Sequence, residues 1–374
     1  MIYLDYAATT PCCPEVVEAM LPFFANKFAN ASSIDHSMGA EARNAVEDAR
    51  SCVAELVGAK TEDVIFTSGS TEANNLVLSG TNRFVITSAT EHPSVLDYVM
   101  KCRQDTSSVL AVSNQGKVDE ACLRTQLEHC DAALVSIMHT NNETGAMNDL
   151  DHLFEAAKDN NALFHSDMSQ AFLAAPIDFR KSKYDGISVS AHKLYGPKGV
   201  GALICNSRLR NEITPLSFGG GHERGLRSGT LNVPGIVGFG VAAALLKRRF
   251  FEINQHVTEM RKTFVGDLLR RFSGAVTING GDSASPHVLS VTLQGVNNRA
   301  LLRLASRELC FSLGSACATN KNEPSYVLRA LGLSDQQCNE TIRISFGAMT
   351  TLDDVMTASK LIASSANGLL EMVA

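Results

Sequence analysis

Val64-Ile65-Phe66-Thr67-Ser68-Gly69-Ser70-Thr71-Glu72 passes from an apolar β-type run, through a small polar turn, into a helical stretch that begins at Ala73. The same passage recurs downstream. Phe84-Val85-Ile86-Thr87 ends near Glu91-His92, and the run 132–138 ends at Asn141-Asn142-Glu143. Ala162-Leu163-Phe164-His165 ends at Asp167, and Gly186-Ile187-Ser188-Val189-Ser190 ends at His192-Lys193. A sixth run covers 200–205. Short apolar strands separated by helical segments predict a mostly parallel sheet covered on both faces.

Five of these runs share one feature: residues capable of chemistry sit just past the last apolar residue. In open α/β sheets, ligands bind outside the carboxyl ends of the strands. Ser70, Thr71, His92, Asn142, Asp167, Gln170, His192 and Lys193 are therefore expected to line one crevice, although 123 positions separate the first from the last. From about Lys247 the texture changes. Lys247-Arg248-Arg249 reads as the opening of a long charged helix, followed by short runs at 275–278, 288–293, 309–313 and 342–346. This predicts a smaller α+β domain. The expected division is 16–250 for the large domain, with 1–15 and 251–374 forming the small one.

Composition narrows the class. The chain has 374 residues, is 45% hydrophobic and 19% charged, and carries a formal net charge of −6. It can bury a sizeable core, which excludes disorder as its main state. The acidic balance weighs against a protein held to nucleic acid by phosphate contacts. The longest apolar stretch, 235–246, is 12 residues, and a membrane span needs about 20. Met1-Ile2-Tyr3-Leu4-Asp5 has no basic segment ahead of an apolar one, so no signal peptide is expected. The ten cysteines include no Cys-x-x-Cys and no zinc spacing, so they read as reduced cytosolic thiols and no metal site is expected.

Each motif has a bland alternative. Ser68-Gly69-Ser70-Thr71-Glu72 offers free N–H groups and hydroxyls to an anion, but taken alone it reads first as a helix cap. Lys193, directly after a buried run, is desolvated enough for a Schiff base, whereas a surface lysine would snorkel outward. The spacing Ser190-Ala191-His192-Lys193 also fits acyl-transfer enzymes with Ser-x-x-Lys, but their Ser-Asp-Asn and Lys-Thr-Gly partners are absent. Asp167, after a buried run, needs a cationic partner: a core Arg or Lys, or a protonated pyridine nitrogen. The Gly- and Arg-rich stretch 219–230 suits either a flexible surface loop or an anion-binding one. Cys317, in Gly314-Ser315-Ala316-Cys317-Ala318-Thr319-Asn320, lies among small polar residues, as a reactive thiol would.

Taken in order, these motifs resemble a pyridoxal-phosphate-dependent cysteine desulfurase of the class-V aminotransferase family. The likeness begins at Tyr3-Leu4-Asp5-Tyr6-Ala7-Ala8-Thr9-Thr10-Pro11 and runs through Phe66–Asn75, Glu91-His92, Asn141-Asn142-Glu143, His165–Gln170, Ser190–Lys193 and 219–230. Gly314-Ser315-Ala316-Cys317 with Glu323-Pro324-Ser325 is similar to the NifS-like branch that serves iron–sulfur assembly. Two stretches depart from the family's pattern: Ala29-Asn30-Ala31 replaces Gly-Asn-Pro, and Ala191 replaces a glycine.

The resemblance implies the type I fold of pyridoxal-phosphate enzymes, with a seven-stranded, mostly parallel sheet between helices and a smaller α+β domain. It implies that Lys193 holds pyridoxal 5'-phosphate covalently, Asp167 pairs with its ring nitrogen and Gln170 with its phenolic oxygen. His92 would stack on the ring and move protons. Ser70, Thr71, Ser190 and His192 would hold the phosphate, with Thr230 reaching it from the other subunit of a homodimer. Asn142 would contact the cofactor and, with Asn30 and Arg343, the substrate L-cysteine. Cys317 would take the sulfur as a persulfide and pass it to an acceptor protein, for iron–sulfur assembly, tRNA thiolation or DNA phosphorothioation. A cytoplasmic enzyme without membrane or direct nucleic-acid contacts is expected. The alternatives are a selenocysteine lyase, or a non-catalytic protein that keeps the fold as a binding platform.

Overall fold

The computed structural model describes residues 1–314 and 323–372. Among the described residues twelve strands are formed: β1 Ile2–Tyr3, β2 Val64–Thr67, β3 Phe84–Ser88, β4 Ser107–Leu110, β5 Ala133–Ser136, β6 Leu163–Asp167, β7 Gly186–Ser190, β8 Gly201–Cys205, β9 Val276–Asn279, β10 Val288–Leu293, β11 Leu309–Cys310 and β12 Thr341–Ser345. Seven of them make the main sheet, in the order β2-β8-β7-β6-β5-β3-β4. Within that sheet β8 alone runs antiparallel, against both β2 and β7. The fold is thus the α/β architecture expected, with its mostly parallel seven-stranded sheet.

Alternation along the strands explains why the sheet is covered on both sides. Successive side chains of a strand point to opposite faces. Ile65, Val85, Leu134, Leu163 and Leu203 pack on one face with the helices Ser70–Gly80 and Pro93–Cys102. Their neighbours Phe66, Ile86, Val135, Phe164 and Ile204 pack on the other, with Ser37–Leu56 and Leu150–Asp159. Both faces are buried, so these strands read as continuous apolar runs. β4 was not expected. Its Ser107-Ser108-Val109-Leu110 holds only two apolar residues, because an edge strand is covered less.

The charged stretch at Lys247 does not open a helix. It continues one that starts at Val233 and runs 39 residues to Arg271. The apolar first half buries Ile236, Phe239, Ala242 and Ala243, and the later, more polar half still buries Val257, Phe264 and Leu268. The change in texture marks greater solvent exposure of one continuous helix. A Cβ on Gly240 would stand 2.5 Å from Ala49 Cα, so glycine lets this helix press closely on Ser37–Leu56.

Beyond the helix, β9, β10 and β12 form an antiparallel three-stranded sheet in the order β12-β10-β9. The run 309–313 contributes the two-residue β11, which pairs in parallel with β1, and touches that sheet only through an isolated antiparallel bridge from Ser312 to Arg343 of β12. Asp5 also bridges to Ser345, so the amino terminus is stitched to the last third of the chain. Among the described residues, no helix is long and apolar enough to cross a membrane.

Candidate active site

The carboxyl ends of β2, β3, β5, β6 and β7 converge on a cavity of about 230 Å³. It is lined by Ser70, Thr71, His92, Asn142, Asp167, Gln170, His192, Lys193 and Arg343, with Ala7 and Ala8 from the amino-terminal segment. The eight residues expected at the strand ends meet there, and Arg343 reaches the cavity from β12.

Ser70 and Thr71 open the helix Ser70–Gly80, whose N-cap Gly69 supplies no side-chain cap. The first N–H groups of a helix have no intrahelical partner and attract anions. Glu72 does not compete for them: its Oε2 accepts from Ser68 N at 2.7 Å and its Oε1 from Arg227 Nε at 2.7 Å. Close strand contact holds the turn, since a Cβ on Gly201 would lie 2.7 Å from Gly69 Cα.

Lys193 follows β7 in a single 3₁₀ turn, Ala191–Lys193. Its Nζ donates to the carbonyls of Ala7 and Ala8, the latter at 2.8 Å. His192, beside it, bonds Thr9 Oγ1 through Nδ1 at 3.1 Å. Burial first, then the charges of Lys193 and Lys198, push the His192 pKa down to about 4.

Asp167, at the end of β6, is 5% exposed. Its Oδ2 accepts from Asn74 Nδ2 at 2.7 Å and its Oδ1 from Ser169 N at 2.9 Å. Among the described residues it has no ion pair. Nearby, Ser169 Oγ is buried at the cavity wall without a hydrogen-bond partner among the described residues.

His92 caps the helix Pro93–Cys102: its Nδ1 accepts from Ser94 N at 3.1 Å and lies 2.9 Å from Ser94 Oγ. The proton of the neutral ring is therefore on Nε2. Burial, the largest influence, lowers its pKa. Arg343 is 2% exposed; Nη2 donates to Asp5 Oδ1 at 2.7 Å and Nη1 to Asn142 O at 3.0 Å. Its Nε has no hydrogen-bond partner among the described residues.

Three expected site residues are not in the cavity wall. Ser190 is buried at the end of β7, with its Oγ 3.7 Å from where a Cβ of Gly69 would stand. Asn30 is exposed, and its Oδ1 accepts from Ser32 N at 2.9 Å. Thr230 is also exposed. Its loop is nevertheless anchored: Glu223 takes a two-point contact from Arg50, both bonds 2.8 Å, and accepts from Phe66 N at 2.6 Å. The reading of 219–230 as a flexible surface loop misses this buried ion pair, because Arg50 is 173 positions away. Cys317 lies outside the described residues.

Sequence reasoning also passed over residues that organise the cavity. Asn74 bonds Asp167, and Glu91 is fully buried behind His92, accepting from Met138 N at 2.9 Å and Ser88 Oγ at 2.7 Å. Burial pushes the Glu91 carboxyl pKa up to about 8. Both residues stood inside recognisable motifs, but polar residues in turns carry no sign of burial.

The class-V aminotransferase family model matches residues 2–357. The cysteine desulfurase IscS of Rickettsia africae is 40% identical, covering 99% of this chain and 92% of that relative. The IscS of Rickettsia massiliae is 41% identical with the same coverage. Among solved structures, a NifS-like protein from Rickettsia africae superposes with a TM-score of 0.89 at 30% identity, covering 98% of this chain and 99% of that one. SspA in complex with cysteine gives a TM-score of 0.81 at 32% identity, with 94% and 100% covered. With this match along nearly its whole length and a lysine, an acid and a helix N-terminus around one cavity, the chain belongs to the class-V aminotransferase family, the pyridoxal-phosphate-dependent family of these cysteine desulfurases.

Proposed function

We propose that the protein is a cysteine desulfurase that takes sulfur from L-cysteine, releases L-alanine and carries the sulfur as a persulfide on Cys317. The observation that carries this reading is the meeting in one cavity of Lys193 with a buried Asp167 that has no cationic protein partner among the described residues, in a chain 40% identical to enzymes of that name. A buried carboxylate in that state suits a protonated ring nitrogen. The uncapped start of Ser70–Gly80 suits a phosphate. The residues present therefore fit pyridoxal phosphate.

Lys193 would hold the cofactor covalently, Asp167 would pair with its ring nitrogen and Gln170 with its phenolic oxygen. Ser70, Thr71, Ser190 and His192 would hold the phosphate, with Thr230 of a second copy. When bound, pyridoxal phosphate supplies an electron sink for the substrate. Arg343 and Asn142, joined by a 3.0 Å hydrogen bond, orient the substrate carboxylate, with Asn30 at the entrance. His92 has Nδ1 committed to Ser94, so it holds or moves a proton only at Nε2. The thiolate of Cys317 attacks the substrate sulfur: an S–S bond forms as the substrate C–S bond breaks. The electron pair stays with carbon, which takes a proton to become alanine. SspA, solved with cysteine, supports cysteine as the substrate.

The persulfide then serves an acceptor protein, for iron–sulfur assembly, tRNA thiolation or DNA phosphorothioation, in the cytoplasm. A homodimer is supported by exposed apolar side chains: Phe24, Phe28 and Phe218 are 63%, 67% and 82% exposed. The segments carrying them meet where Ser32 Oγ lies 3.0 Å from His222 Nε2. The division into 16–250, and 1–15 with 251–374, is supported by the pairing of β1 with β11 and by the bridge from Asp5 to Ser345.

A brief cysteine pulse followed by peptide mass spectrometry tests the reading. The expected result is alanine release with an adduct of about 32 Da, one sulfur atom, on the Cys317 peptide, and loss of both in Cys317→Ser. Alanine released at the original rate by Cys317→Ser would overturn it, as would release from selenocysteine but not from cysteine.

A further inference from the structure

Behind the cavity, a chain of hydrogen bonds runs from the small sheet to Lys193. Ser285 Oγ lies 2.6 Å from His287 Nδ1, and His287 Nε2 lies 3.1 Å from Gln170 Oε1. Gln170 Nε2 donates to Ala7 O at 2.8 Å, the same carbonyl that accepts from Lys193 Nζ. His287 and Ser285 are 2% and 0% exposed. The segment is held from three sides. Arg261 Nη1 donates to Ser285 O and Val288 O, both at 2.6 Å; Ser285 N donates to Gly145 O at 2.7 Å; and Phe346 N donates to His287 O at 2.9 Å.

The proton positions follow from one group. The carbonyl of Ala7 can only accept, so Gln170 must present its NH2 end to it. Gln170 Oε1 then faces His287, whose Nε2 must carry the proton. The ring is neutral, because burial, then Lys193 and Arg261, push its pKa down to about 3. Nδ1 is therefore bare and accepts the Ser285 hydroxyl proton.

Building on the cofactor reading above, we propose that His287 is a positioning residue: as the Nε2–H tautomer it locks the Gln170 amide so that its remaining N–H serves an acceptor in the cavity, the phenolic oxygen of pyridoxal phosphate. Without His287, one end of the amide is unpaired and only the Ala7 carbonyl holds it against turning. A turned amide would place its oxygen, rather than a donor, beside the phenolic oxygen. His287 does not line the cavity, so its hydrogen-bond influence there passes through Gln170.

The test needs three readouts. In apo-protein labelled with ¹⁵N-histidine, the His287 ring should give the shifts of the Nε2–H tautomer. An Nδ1–H tautomer or an imidazolium would overturn the proposal, and this measurement requires no variant. His287→Leu should bind pyridoxal phosphate about five- to tenfold more weakly, the loss of about one hydrogen bond, and should raise the pH midpoint of the bound chromophore's visible absorbance. His287→Asn, which keeps an N–H donor, should restore both. The effect should vanish in a Gln170→Ala background, since groups acting through one contact are not additive. Unchanged affinity and midpoint in His287→Leu, or equal losses with and without Gln170, would overturn it. Protein that takes up no pyridoxal phosphate at all would sink the cofactor reading instead, and the tautomer would still be read in the apo-protein.

Discussion

Asn74 Nδ2 lies 2.7 Å from Asp167 Oδ2 and 2.8 Å from Ser94 Oγ, so one buried amide ties the end of β6 to the residue that holds His92. Both N–H groups of Asn74 are used, and its Oδ1 has no partner among the described residues. The Ser94 hydroxyl, accepting from Asn74, is left to donate to His92 Nδ1 at 2.9 Å. Asp167 and His92 are thereby oriented by a residue that does not line the cavity.

Replacing Asn74 with Leu removes both bonds at similar volume. Each hydrogen bond to a charged group is worth about 1.5–3 kcal/mol. Pyridoxal phosphate should therefore bind roughly ten- to a hundredfold more weakly, measured by titrating apo-protein and following fluorescence. Affinity within twofold of the parent would show that Asp167 needs no such support.

Lys193 Nζ sits between two carbonyls beside Asp167 and Gln170 in the cavity wall, and Lys198 is outside it. Borohydride treatment of the yellow protein should fix the chromophore on the Lys193 peptide. Lys193→Ala should lose the label and Lys198→Ala should keep it. A label on Lys198 would reassign the site.

Arg343 is almost fully buried, yet keeps its place beside Asn142 through Asp5. Arg343→Lys preserves the charge and loses the planar fork. Steady-state kinetics should give a KM for cysteine raised about tenfold or more, on the same scale of about 1.5–3 kcal/mol. A normal KM with a lowered kcat would place Arg343 in the chemical step instead of in substrate binding.

Stability should depend on pH through groups buried uncharged. His165 and His287 have pKa values driven by burial to about 4 and about 3, below the ordinary value of 6.5. Glu91 is driven up to about 8 from 4.5. Between about pH 4.5 and 6.5 the unfolded chain binds more protons at the histidines and fewer at Glu91, so stability rises with pH. Near pH 6.5 the half-protonated unfolded histidines balance Glu91, and above it they lose their remaining protons while Glu91 comes to dominate the three. The folded state then holds its proton and the unfolded state does not, so stability falls toward pH 8. Glu91→Gln should remove that fall. From pH 6.5 to 8 the parent should lose about 2 kcal/mol more than the variant, at about 1.4 kcal/mol per pH unit. Urea midpoints that shift in parallel would contradict this.

The site was legible where chemistry is local to a strand end. Ser70, His92, Asn142, Asp167, Gln170 and Lys193 each follow an apolar run, and a parallel sheet brings such ends together whatever their separation in sequence. β4 was not legible, because an edge strand lacks the continuous apolar signal. The helix from Val233 was misread at Lys247, because its pattern follows changing exposure along one element.

The sequence by itself determined the alternation of buried strands and helices, and with it the crevice and the residues at its rim, because strand period and burial are written in neighbouring residues. Only the tertiary structure decided what stands behind the rim. Asn74 meets Asp167 across 93 positions, Gln170 meets His287 across 117, and Arg50 meets Glu223 across 173. A polar side chain in a turn reads the same in sequence whether it faces water or a buried partner. The difference appears only when distant segments exclude water around it, and an unpaired donor or acceptor then becomes costly.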